Sequence, residues 1–448
     1  MRIVYIIPGP AGPFFEKNSL REQALVAELR WYGHDVLFVP VLFPINDDTP
    51  TALAGEAGLL PLGAVRLYAL QSTPRLARHA PEWFWRAIDR PFLRKHVIKR
   101  VMGSPKRFNE FIKDALDGRN GVLSTAIENL SDWLRTHQKP DVVYLSTPFL
   151  LGVAPMMKKA LRVPIACAMN SELDEISHLR GPDAIIMLTK LRSAVSDADG
   201  FIPVSNFHSE RVQRRLGIAT SATRPVHPGI YVDNIPFTPP PEAAAIGVIV
   251  REGGTPSAIS PEIAVSVLKQ PDTAGSRAIR VAIEASPLRT SRRQRDDGVV
   301  RAVTDAGGSV ETLPRNNIEL HTFFASLDVA IFIHPEQPPS FDYAVLEALA
   351  CGVPVLLPDT GANREISGLS DAVFLYGTVY ELGTVAAKLS SASREEKSAL
   401  RRTARSSVEH CFSMPRMAQE TAEALQTIIS RNSPPPETWP KPPTLAIS

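Results

Sequence analysis

The chain has 448 residues, 49 basic and 47 acidic side chains, a formal charge of +2 and 44% hydrophobic residues. These values exclude a wholly disordered chain, a collagen and a coiled coil, and they give no general case for nucleic acid as a partner. The 40 prolines are about 9% of the chain, against roughly 5% usually.

In chain order, a buried strand is predicted from Ile3 to Ile7, then a loop with Pro8, Gly9, Pro10, Gly12 and Pro13. A helix follows from about Ser19 to Tyr32, ended by Gly33, and a second strand from Asp35 to Pro40. This is a βαβ unit. Further strands are expected at Asp141–Leu145, Val163–Met169 and Gly200–Val204, with helices at Thr125–Arg135 and Leu188–Val195. Six prolines between Pro225 and Pro241 read as a linker, because proline fixes φ and lacks an amide donor. The pattern then repeats, with strands at Ile246–Val250, Ile279–Ile283, Val329–Ile333 and Val353–Leu357. Helices are expected at Ile263–Lys269, Val299–Ala306, Glu319–Ser326, Tyr343–Ala350 and Met414–Ile429. Six more prolines from Pro434 to Pro443 read as an extended tail. Alternating strands and helices argue for parallel sheets, and the division predicts an α/β chain of two doubly wound domains. The expected boundaries are 1–224, a linker at 225–243, a second domain at 244–412, a C-terminal helix at 413–430 packing back on the first domain, and a tail at 431–448.

Three scattered cysteines and an N-terminal apolar run too short for a signal sequence fit a cytoplasmic location. Between Arg75 and Arg107 stand ten Lys or Arg and two acids, with Trp83, Phe84, Trp85 and Phe92 among them. This reads as a basic helical insertion over about 75–120 with its aromatics in the core. The alternative reading is a peripheral contact, through 75–107, with an anionic membrane at its inner face. No histidine, cysteine or carboxylate spacing suggests a metal site.

The stretch Ser340–Glu365 carries the most chemistry. A strand ending at Ile333 leads through a loop into the helix Tyr343–Ala350, then Cys351-Gly352 and a buried strand. The first-turn amides of such a helix suit a diphosphate, and Glu347 lies one turn further in, where a carboxylate can bond ribose hydroxyls. An ordinary βαβ turn with a surface glutamate reads equally from the spacing alone.

Here the sequence resembles the family 4 glycosyltransferases. The resemblance is carried by Gly33-His34-Asp35-Val36, by Val204-Ser205-Asn206, by His227-Pro228-Gly229-Ile230-Tyr231-Val232-Asp233, and above all by Glu347-Ala348 with Ala350-Cys351-Gly352-Val353-Pro354-Val355. It implies the GT-B architecture, two Rossmann-like domains facing across a cleft. It further implies transfer of a sugar from a nucleoside diphosphate sugar to a glycan, lipid-linked or small-molecule acceptor, with the anomeric configuration retained and no metal cofactor. On the donor side it implies Glu347 on the ribose, amides from Phe341 to Ala344 on the diphosphate, Arg251 neutralising phosphate, and Pro287, Arg315 and Asn316 near the nucleotide. Ser340, Asp342 and Tyr343 complete that side. The acceptor side comprises Gly12, Asn18, Arg21, Asn170 and Glu172, with Asp174 as an alternative to Glu172.

The chain departs from the family pattern at several of these positions. The first glutamate of the motif falls at Pro339, its glycines at Ser340 and Asp342, the expected lysine at Pro256, and a frequent histidine at Asn170. These changes carry the alternative of an inactive, glycosyltransferase-like binding protein.

Overall fold

In the computed structural model, the residues described are 1–8, 12–41, 105–121, 123–178, 182–242, 245–251, 261–269, 278–284, 301, 304–305, 309–312, 317–334 and 340–432. The first half begins with β1 (Arg2–Ile7), α1 (Gly12–Trp31) and β2 (Asp35–Pro40). It continues with α2 (Pro105–Leu116), α3 (Ser124–His137), β3 (Val142–Leu145), α4 (Ala154–Leu161), β4 (Ile165–Met169), α5 (Glu172–His178), α6 (Pro182–Ala194), β5 (Gly200–Pro203) and α7 (Asn206–Leu216). The second half holds β6 (Ala245–Arg251), α8 (Pro261–Leu268), β7 (Ile279–Glu284), β8 (Ser309–Thr312), α9 (Asn317–Ala325), β9 (Leu327–Ile333) and α10 (Tyr343–Ala350). It ends with β10 (Val355–Pro358), α11 (Asn363–Ser367), β11 (Val373–Tyr376), α12 (Val379–Ser391), α13 (Arg394–Cys411) and α14 (Met414–Asn432).

Every strand pair is parallel. The first sheet has the order β2-β1-β3-β4-β5 and the second β11-β10-β9-β6-β7-β8. Strands such as β3, β4 and β10 are apolar almost throughout, as burial on two faces requires, whereas the edge strand β8 reads Ser-Val-Glu-Thr. Along β1, Val4 and Ile6 enter a core beneath α2, α3 and α4, whereas Ile3, Tyr5 and Ile7 enter another with Leu25, Val26 and Leu29 of α1. That alternation is the period-two pleat.

The last helix does not stay with the second sheet. Ala418, Ala422, Leu425 and Ile428 of α14 join the core under β1, β3, β4 and β5. A Cβ on Gly200 would meet Ile428 Cδ1 at 2.4 Å, so glycine there lets α14 lie flat against β5.

The proline-rich connection is ordered by pairing rather than by helix or sheet of its own. The amides of Arg224 and Val226 donate to Phe201 and Pro203 carbonyls along the edge of β5. Further on, the fully buried Arg401 of α13 donates to the carbonyls of Thr238 and Leu327 at 3.0 and 2.9 Å. Arg405 donates to those of Ile235 and Ala350. Segments that cannot supply their own ladder are thus satisfied by side chains. Gly352, at φ +85°, closes α10 against the Phe237 ring of the same connection.

Strands β8 and β11 and helices α4, α5, α7, α11, α12 and α13 escaped the sequence reading. Of the helix expected at 299–306, residues 301, 304 and 305 are described and are helical, and the tail from 433 onward lies outside the described residues. So does 75–104 of the basic insertion, while its last part forms α2, which buries Ile112 and Ala115. No helix among the described residues is long and apolar enough to cross a membrane.

Candidate active site

The residues singled out in the sequence lie beyond the carboxyl ends of strands. Arg21 is on the helix after β1, Asn170 and Glu172 follow β4, Arg251 ends β6, and α10 follows β9. In parallel α/β sheets this is the edge where ligands bind.

Two of these regions meet directly. Arg21 Nη1 donates to the hydroxyl of Tyr343, the first residue of α10, and the guanidinium stands 4.8 Å from the centre of that ring. The expected acceptor-side Arg21 and donor-side Tyr343 are therefore one contact across the two halves. The other arm of Arg21 pairs with Glu22 at 3.2 Å, while its Nε is buried without a partner.

Glu172 lies below this pair. Its Oε2 accepts the amide of Asn170 at 2.7 Å, and Asn170 Nδ2 in turn donates to the Ser146 carbonyl at 3.1 Å. Burial pushes the Glu172 carboxyl up to about 7, against the downward pull of the Thr147 hydroxyl, the backbone amides and Arg21. Glu22 is also raised well above the usual carboxylate range, by burial and then by the charge of Glu172. Two acids thus share one cation in a desolvated site, and both are held above the usual carboxylate range, Glu172 at about 7. Tyr5 and Tyr144 stack edge to face beside it at 4.8 Å, and the Tyr5 hydroxyl is buried without a partner.

The start of α10 is bound on both sides. Asp342 caps the helix, its Oδ1 accepting the Ala344 amide at 3.1 Å, and its Oδ2 meets His334 Nε2 at 3.0 Å. Asn363 lies 3.3 Å from the other ring nitrogen of that histidine. The Ser340 amide donates to Asp174 Oδ2 at 2.8 Å. One amide of the run expected to meet an anion, that of Ala344, is therefore engaged by a carboxylate, as is the Ser340 amide just before the run. Phe341 packs under the helix beside His227 and Phe412. Glu347 is half-buried one turn further along, and its charge adds to burial in raising the Cys351 thiol to about 12.

A third set of groups had no strong signal in the sequence. Glu365 of α11 accepts the amides of Asn206 at 2.9 Å and Phe207 at 2.6 Å, and pairs with His227 Nε2 at 2.8 Å. It caps α7 from the opposite half. Burial would raise this carboxyl, yet the hydrogen bonds from His227, Phe207 and Asn206 hold it below the usual range. His208 and Arg211 of α7 reach Ser340 and Asp174. Only the Ser205-x-x-His208 helix start hinted at this cluster.

Gly12 begins α1 and Asn18 lies within it. Arg251 pairs in register with Glu284 at the end of β6. Pro287, Arg315 and Asn316 lie outside the described residues. Among the described residues, no group of three histidines, cysteines or carboxylates could hold a metal ion.

Residues 77–234 match the model of Glycosyltransferase Family 4. No curated protein matches the chain. Among solved structures, it is similar to Anabaena HepE in complex with UDP, at 14% identity over 95% of this chain and 100% of that one, with a TM-score of 0.58. It is similar to the sucrose-phosphate synthase of Thermosynechococcus elongatus at 13% identity, over 96% and 100% of the two chains, with a TM-score of 0.58. The lipopolysaccharide outer core galactosyltransferase WaaB shares 14% identity over 95% and 99%, with a TM-score of 0.54. At these identities the likeness is one of fold, two parallel sheets in the GT-B arrangement. The chain is thus similar to the family 4 glycosyltransferases over residues 77–234 and shares the fold of these solved structures.

Proposed function

We propose that the chain is a retaining glycosyltransferase that moves a sugar from a nucleoside diphosphate to an acceptor. The observation that carries this reading is the contact of Arg21 with Tyr343. It brings the start of α10, with Glu347 one turn in, against the buried Arg21–Glu22–Glu172 cluster of the first half. Donor groups and acceptor groups then face one cleft.

In this reading Glu347 holds the ribose hydroxyls. Arg251 and amides at the start of α10 meet the diphosphate, where negative charge grows as the sugar leaves. The departing phosphate accepts the proton of the acceptor hydroxyl, so no pair of carboxylates with glycosidase spacing is required. Asn170 and Glu172 orient the acceptor, and no metal enters. UDP is the first nucleotide to test, because HepE is similar in fold and its structure holds UDP. The work is placed in the cytoplasm, with residues 75–107 as the surface for a lipid-linked acceptor.

Thermal denaturation with UDP, GDP and ADP sugars tests the donor half of this reading. One nucleotide series is expected to raise Tm, and Glu347→Ala is expected to abolish the rise. A protein indifferent to all three is not a nucleotide-sugar enzyme. Asp342 favours a second reading, binding without transfer, because its carboxylate occupies the Ala344 amide where an anion would sit. Release of free sugar, or its appearance on an acceptor, separates the two.

A further inference from the structure

We infer that Ser340 is a positioning residue for the donor site, through which the first half of the chain sets the entry to α10. This deepens the proposed function and rests on it. Ser340 is fully buried, and its hydrogen-bond partners Ser205, Asp174, His208 and Arg211 belong to the first half. Its carbonyl accepts the Ser205 hydroxyl at 2.9 Å, and its amide donates to Asp174 Oδ2 at 2.8 Å. Its hydroxyl lies 2.6 Å from His208 Nδ1 and 3.5 Å from Arg211 Nη1, and Arg211 also pairs with Asp174.

The chemistry of these partners is consistent. Burial holds His208 neutral by lowering its pKa to about 4. A neutral ring accepts the Ser340 hydroxyl proton at Nδ1, while the hydroxyl oxygen accepts from Arg211. Two residues later the chain is anchored the other way, by Asp342 to His334 of the second half. Successive anchors in opposite halves fix the height and tilt of the first turn of α10. Glu347 rides on the same short helix. A glycine at 340 would keep the two backbone bonds and lose the hydroxyl pair, so the side chain adds a constraint the backbone alone does not supply.

The test compares nucleotide affinity with thermal stability. Calorimetry is run with whichever of UDP, GDP or ADP stabilises the wild type, on Ser340→Ala, Ser340→Thr and Ser209→Ala. Ser209 is buried on the same helix and bonds Thr223, not Ser340. Ser340→Ala is expected to weaken binding about tenfold, Ser340→Thr to stay within about threefold, and Ser209→Ala to lower Tm with unchanged affinity. Should Ser340→Ala fail to fold, Asp174→Asn carries the same expectation. A lowered Tm with affinity unchanged within twofold makes Ser340 merely structural and overturns the inference alone. A wild type that binds none of the three nucleotides overturns the donor reading and this inference with it.

Discussion

Two polar seams join the halves, and they are built on opposite terms. Along α7, both oxygens of Asp174 and of Glu365 receive donors from named neighbours, and each carboxylate faces an arginine or a histidine, while the buried His208 Nε2 is left without a partner. Between α1 and α10, two buried acids share one guanidinium, and the Tyr5 hydroxyl and Arg21 Nε have no partner. The difference lies in charge: a network whose carboxylates are each matched fixes a geometry, whereas two buried acids beside one cation are expensive to keep. Under the proposed function the second seam is the working side of the cleft, and the first holds the two halves in place.

The sharpest way to break this contrast is Arg21→Ala. It removes the cation from a site only 6–9% exposed and leaves Glu22 without its partner. A loss of about 3 kcal/mol or more in urea unfolding is expected. The double change Arg21→Met with Glu22→Gln should recover most of it, since neither charge then needs a partner. A loss below about 1 kcal/mol for the single variant would show that the cluster is better solvated than its burial implies.

Glu172→Gln sharpens the contrast through pH. The folded carboxyl titrates near 7, above its ordinary 4.5. Its contribution is therefore fully present below about 4.5 and lost as pH rises through 7. The glutamine does not titrate. Relative to wild type, Glu172→Gln should be neutral in stability at pH 4 and more stable by up to about 3 kcal/mol at pH 9. A flat difference between those limits would place the ionisation elsewhere.

Glu365 predicts the reverse slope. Its carboxyl is held down, so its contribution is present above the usual carboxylate range and fades in acid. Glu365→Gln turns an amide toward the Asn206 and Phe207 donors. A cost of about 2 kcal/mol at pH 7 is expected, shrinking below roughly pH 4. Acid therefore loosens the α7 seam as it settles the α1 seam.

How much of this was legible in the sequence depends on what local pattern encodes. The sheets were readable because strands buried on both faces are continuous apolar runs, as in Val329–Ile333. Tyr343–Ala350 was readable, with Cys351-Gly352 beyond its end, but the cap by Asp342 came only with the structure. β11 was not, because Val373–Tyr376 is four residues at a sheet edge with two only partly buried. Arg21, Asn170 and Glu172 were found through resemblance, but their burial, and hence the shift of Glu172, belongs to packing. Glu365 and His208 lie 159 and 132 positions from Asn206 and Ser340, in different elements, and Glu22, next to Arg21 on α1, meets the charge of Glu172 only through packing. No periodicity reports a contact of that kind. The prolines at 225–241 announced a break between sheets but not that Arg401 and Arg405 would staple it.

Asp342→Asn gives the smallest expected effect and bears most directly on the donor reading. Asp342 places a negative charge on the amide of Ala344, where the dipole of α10 would otherwise favour a phosphate. The asparagine keeps one acceptor, so it can cap Ala344 or meet His334 but not both as the carboxylate does. A small loss of Tm is expected, together with tighter nucleotide diphosphate binding by about 1 kcal/mol, roughly fivefold. If affinity instead falls, the carboxylate is holding the first turn in place rather than opposing the anion. The start of α10 would then belong with the α7 seam, and the diphosphate would have to meet Arg251 without it.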